Sequence, residues 1–124
     1  MLKRRENMIK IYRINDYEWW ATRTNIEDII LEWEKITGEE YDIEQEYPYP
    51  ELCDLKKEGC WDEIGFVFGD TVIPLTQNPD SRKATVGDRS VIYGQYSRFI
   101  SFKELIYRDY KDFTEPFCIA CTEV

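Results

Sequence analysis

Between Asn25 and Gly38 the apolar residues take on a helical period. Ile26, Ile29, Ile30, Trp33 and Ile36 recur on one side, and Glu27, Asp28, Glu32 and Glu34 occupy the other. A segment patterned this way must bury its apolar side against a second layer, so the rest of the chain has to supply one. Asn25 stands where a side chain can accept the first free amides, Gly38 stands where a left-handed residue can end the helix, and the early acids suit the positive end of its dipole. The pattern predicts a helix over 26–37. Immediately before it, "MIKIYRI" (8–14) is rich in β-branched and aromatic types, "NDY" is a turn signal, and "EWWATRT" can return as the second arm of a hairpin.

Further along, Pro50 in a first-helical position and Gly59 in a C-cap position predict a short helix over about 50–58. "IGFVF", Gly69-Asp70 and "TVIPL" read as a second hairpin, with Pro74 pushing its second arm to a sheet edge. The polar stretch "TQNPDSRKATVGDRS", with Arg82, Lys83 and Arg89, reads as a long loop, and "SVIYGQYSRF" as one strand. Ser101-Phe102-Lys103-Glu104 has the form of a capping box and opens a helix with Phe102, Leu105, Ile106 and Tyr110 on its apolar face. "PFCIACTEV" suits a final buried strand. The expected fold is α+β, a single domain over 8–124 with a mostly antiparallel sheet packed by two main helices, near 26–37 and 102–112.

Charge narrows the partners. With 25 acids against 16 bases in 124 residues the net charge is −9, which repels nucleic acid and anionic lipid and favours basic partners. No apolar run approaches the ~20 residues of a membrane span, and "MLKRREN" is not followed by an apolar region of the secretory kind, so a cytoplasmic protein is expected.

Chemistry is narrowed by exclusion. The chain has no histidine, which removes His-based acid–base work, Ser-His-Asp and Cys-His triads and every His-ligated metal. Gly65, Gly69, Gly87 and Gly94 are scattered and form no phosphate-binding loop. Many carboxylates exist, yet no pair is singled out by spacing, so the expectation is a non-enzymatic protein without a cofactor. Cys53, Cys60, Cys118 and Cys121 are expected as reduced, small buried hydrophobes. Cys118 and Cys121 form a C-x-x-C, but a redox pair needs a helix N-terminus to lower a thiol pKa and this pair closes the chain. Zinc would want two short-spaced pairs, and six residues separate Cys53 from Cys60; a small zinc-binding module stays open as an alternative.

Two surface features point outward. Trp19 and Trp20 are adjacent, so on a strand they face opposite ways; one enters a one-sided core, and the other is either a candidate interface anchor or buried by a covering helix. "GEEYDIEQEYPYPEL" (38–52) carries Glu40, Asp42, Glu44 and Glu46 on alternate positions, and no Lys or Arg occurs from Gly38 to Leu55. Were this stretch extended, the four carboxylates would form a row spaced roughly 6.6 Å apart, similar to a strand of phosphates, with Tyr41, Ile43 and Tyr47 facing the protein. The expected binding residues are Glu39, Glu40, Asp42, Glu44, Glu46 and Tyr49. A plain solvated acidic edge is the alternative use of the same charges.

The opening "MIKIYRINDYEWWA", the "ITG" at the helix end and the closing "FCIACTEV" resemble small uncharacterised accessory proteins of phages and prophages of Gram-positive bacteria, which begin with a similar K-I-Y-R-I-N-D segment. The resemblance covers about a third of the chain. It implies a start near Met8, with residues 1–7 as a flexible extension, and it transfers no catalytic residue. In size, acidity and lack of a catalytic motif the chain is also similar in kind to anti-CRISPR and other anti-defence proteins. The expectation is an inhibitor that binds the basic nucleic-acid-binding surface of a nuclease, a CRISPR-associated one for example, in the bacterial host cell. A self-associating structural or regulatory phage protein, using Trp19 or Trp20, is the other expectation.

Overall fold

A computed structural model describes residues 8–66, 84–92 and 95–121. The α+β class and the antiparallel pairing are as expected, but the strands form two sheets, one in each of two compact units. Unit 1 comprises Met1–Cys53 and Asp112–Val124, and unit 2 comprises Asp54–Lys111.

In unit 1, β1 (Lys10–Arg13) and β2 (Glu18–Thr22) form the expected hairpin, with Ile11 opposite Ala21 and Arg13 opposite Trp19. The turn between them is closed by Ile14 N–H donating to the Glu18 carbonyl (3.1 Å) and by Tyr17 N–H donating to Asn15 Oδ1 (2.8 Å). β3 (Glu51–Leu52) and β7 (Phe117–Cys121) complete the sheet in the order β3-β1-β2-β7. Helix α1 (Ile26–Thr37) has the caps its sequence called for. Asn25 is extended and accepts from Asp28 N–H (3.0 Å), while Gly38 sits at φ 73° and donates to the Glu34 carbonyl (2.9 Å).

Ile14, Trp20, Ile29, Trp33 and Tyr41 form the core, with Tyr12, Ile26 and Ile30 packed against it. Burial of Ile14 and Ile29, both fully inaccessible, stabilises by about 1.5–3 kcal/mol each. Ile36 departs from the expected stripe and is 66% exposed. Beyond Trp33 the helix is covered by Tyr41 instead, whose ring meets Trp33 edge-on at 5.5 Å. Of the two uses open to the second of Trp19 and Trp20, interface anchor or burial, the structure shows burial: both are buried, because the centre of this sheet is covered on both faces. Trp20 joins the core with α1. On the other face the Arg13 guanidinium lies over the Trp19 ring (4.8 Å).

The helix expected over 50–58 does not form. Glu51 and Leu52 pair with β1, and the chain then makes one turn in which Glu58 N–H donates to the Asp54 carbonyl (2.8 Å) and Lys56 N–H to Asp54 Oδ1 (2.9 Å). Sheet pairing on one side and an Asp-initiated turn on the other leave no helical run.

In unit 2, β4 (Gly59–Phe66), β5 (Arg89–Ile92) and β6 (Gln95–Ser101) form an antiparallel sheet in the order β4-β6-β5. The expected single strand over "SVIYGQYSRF" is thus two antiparallel strands, with Ile92 opposite Gln95. The Gly69-Asp70 turn and second arm (71–75) of the expected 64–75 hairpin, and Arg82 and Lys83 of the expected loop, lie outside the described residues. Helix α3 (Phe102–Leu105) starts at Ser101, whose hydroxyl accepts from Glu104 N–H (3.1 Å), and runs into a π-helical turn, Ile106–Tyr110. Phe102, Leu105 and Ile106 are buried as expected, while Tyr110 is 37% exposed.

Candidate protein-binding site

The acidic segment is not a strand. Asp42 is the N-cap of a one-turn helix α2 (Ile43–Glu46), its Oδ1 accepting from Glu44 N–H (3.0 Å) and Gln45 N–H (3.2 Å). A turn of helix replaces the alternation, so the evenly spaced row of carboxylates does not exist and the likeness to a phosphate strand loses its geometry. Tyr41 faces the protein as expected, but Ile43 (58% exposed) and Tyr47 (83% exposed) face solvent.

What the segment has instead is a firm anchor. Tyr41 is buried, its backbone N–H donates to Glu34 Oε2 (2.9 Å), and its hydroxyl donates to the Ile14 carbonyl. These contacts pin the chain after Gly38 against α1 and the β1–β2 turn. Around the anchor Glu39, Glu40, Asp42 and Glu44 are exposed and Glu46 is half-buried. The ion pairs found among the described residues lie in unit 2, joining Arg98 to Glu104 and Arg108 to Asp62 and Asp109, so none neutralises Glu39, Glu40, Glu44 or Glu46. Tyr49 is occupied within the fold: its hydroxyl donates to Asp16 Oδ1 (2.9 Å), and the Arg13 guanidinium lies over its ring (5.1 Å). It buttresses the segment and is not a free contact.

Charge is unevenly divided. Unit 1 holds 16 acids against 7 bases and unit 2 holds nine of each, so the whole net charge belongs to unit 1. A depression of about 380 Å³ in unit 2, lined by Lys56, Lys57, Ala84, Thr85 and Val86, contains none of the expected binding residues.

Burial, aided by the Glu46 charge, pushes the Tyr41 phenol up from its ordinary 10.0 to about 12. The unfolded chain therefore releases this proton at lower pH than the folded one. The contribution of Tyr41 to stability is intact below pH 10 and is lost as pH rises toward 12. Urea titrations should show Tyr41→Phe destabilised by about 0.5–1.5 kcal/mol at pH 8, from the lost bond to Ile14. That gap should shrink between pH 10 and 12; a gap independent of pH would show that Tyr41 does not titrate this way.

Sequence reasoning overlooked Glu18. Its carboxylate accepts from three donors: Asn15 Nδ2 (2.8 Å), Trp20 Nε1 (3.1 Å) and Trp33 Nε1 (3.3 Å). Among the cysteines, Cys53 is buried and Cys60 half-buried, but Cys118 and Cys121 are exposed, contrary to the expectation of four buried thiols. Burial of its sulfur, with Glu18 and Cys121 adding, pushes the Cys118 thiol up to about 12 although the residue as a whole is exposed, the opposite of what a redox nucleophile needs. Among the described residues no three Cys, Asp or Glu side chains converge as a metal site. Compared with protein-family models, with curated proteins and with solved structures, the chain matches none.

Proposed function

We propose that this chain is a non-enzymatic binding protein that engages a basic protein surface through the segment 39–47 of unit 1, acting as an inhibitor of the anti-defence type against a nuclease with a basic nucleic-acid channel. The observation that carries the reading is the pairing of a rigid anchor with unneutralised charge. Tyr41 holds Glu39, Glu40, Glu44 and Glu46 in place with no basic partner among the described residues, so little ordering cost remains for binding. Exposed Tyr47 and Ile43 add the aromatic and aliphatic surface that acidic interfaces use for affinity, while the charges supply encounter rate and selectivity.

The test uses purified nucleases with basic channels, CRISPR-associated ones included, and a variant with Glu39, Glu40, Glu44 and Glu46 changed to Lys. Asp42 is left in place because it caps α2. At about 0.2–1 kcal/mol for each exposed charge lost, and more for each reversed, affinity should fall more than tenfold. Parent binding should also weaken steeply with salt. Binding that survives both charge reversal and high salt would place the interface elsewhere.

A further inference from the structure

The pairing of β2 with β7 contains a β-bulge. Trp19 is opposite Ala120 and Trp20 is opposite Cys118, so Ile119 is an extra residue on β7. In a regular strand Cys118 and Cys121, three positions apart, would point to opposite faces. The bulge restores their parity. Cys118 lies opposite Trp20 and Cys121 opposite Glu18, and residues directly opposite in an antiparallel pair share a face. Glu18 and Trp20 are themselves on one face, since the Trp20 indole donates to the Glu18 carboxylate (3.1 Å). Both thiols of the C-x-x-C therefore stand on the Glu18 face, two register steps apart. At about 3.3 Å per step this is roughly 6.6 Å along the strand instead of the ~10 Å of an unbroken one.

We infer that Cys118 and Cys121 form a two-thiolate site for a soft monovalent metal ion of the copper(I) kind. Both residues are exposed as whole residues, and among the described residues β7 is the terminal strand of its sheet order, paired with β2. Thiolate sulfur selects soft ions, whereas zinc wants a closed tetrahedral shell that two thiols cannot supply. Glu18 lies on the same face, its carboxylate held in place by Asn15, Trp20 and Trp33. On binding, two S–H bonds break and two S–metal bonds form. The two protons pass to solvent, and the hydrogen bond from Cys118 Sγ to the Ala120 carbonyl (3.3 Å) is given up.

The experiment is an anaerobic titration of the reduced full chain with copper(I) against a competing chelator, read by native mass spectrometry and by proton release. One ion per chain and two protons per ion are expected. Cys118→Ser and Cys121→Ser should each weaken retention more than tenfold, and the Cys53→Ser, Cys60→Ser double variant should retain the ion like the parent. No retention by the parent, or equal retention by either β7 variant, overturns the site. Stoichiometric retention of zinc by the parent overturns its two-coordinate character.

Discussion

Replacing Gly59 with alanine should unfold the β4–β6 pairing of unit 2. Gly59 is the first residue of β4 and lies opposite Ser101, and a Cβ built on it would fall 1.7 Å from the Ile100 carbonyl oxygen, 2.7 Å from the Ile100 carbonyl carbon and 2.9 Å from Ser101 Cα. All three obstacles are backbone, so no rotamer change relieves them and the strands must move apart. Two bonds that seat α3 are close by: Phe102 N–H to the Glu58 carbonyl and Lys103 N–H to the Leu55 carbonyl, both 2.9 Å. Separation at Gly59 would stretch both. The expected cost is about 3–5 kcal/mol, at the upper end for a single substitution, and a unit of this size should lose well over 10 °C in melting temperature. Hydrogen exchange gives the local readout. Protection at Phe102, Lys103 and the β4–β6 amides should drop while that of β1 and β2 holds, and a variant with parental protection in β6 would show that the close approach is not needed.

Gly59 also shows where reading the sequence reaches its limit. Its position after "DLKKE" suits a helix cap, and the true constraint comes from a strand some forty residues later, which no local pattern reports. Helix α1 was legible because twelve residues repeat one period and both ends carry capping residues, so independent signals agree. The acidic segment failed for the opposite reason. Over seven residues, alternating charge fits a strand as well as one helical turn, and only Asp42 with Gln45 three residues later hinted at the N-cap that forms. Membership in the charged segment was readable; direction was not, which is why Ile43 and Tyr47 exchange places with the interior. Whether the second of Trp19 and Trp20 is an anchor or buried depends on what covers the other face of the sheet, which two adjacent letters do not report. The common face of Cys118 and Cys121 depends on a single inserted residue in a register that the sequence does not display.

The same interior makes Glu18 the most consequential polar residue of unit 1. It is a half-buried carboxylate at the start of β2, yet it satisfies the indole N–H of two core tryptophans that come from different elements, Trp20 on the sheet and Trp33 on α1. An indole nitrogen can only donate, so without Glu18 each loses its acceptor in a place where water has little access. Leaving a buried donor unpaired costs about 1–3 kcal/mol, and two of them with the Asn15 amide bring Glu18→Ala to about 2–5 kcal/mol. Glu18→Gln separates acceptor loss from packing, because its amide keeps one acceptor oxygen while its NH₂ faces the second indole as another donor. Its destabilisation should therefore fall between those of the parent and the alanine variant. Chemical denaturation followed by tryptophan fluorescence orders the three, and a glutamine variant as stable as the parent would mean that one indole finds another partner. Since Trp33 also supports the Tyr41 ring, Glu18→Ala should loosen the segment 39–47 as well, seen as faster exchange at the Tyr41 amide. Stability of the core and presentation of the acidic surface are coupled through this one carboxylate.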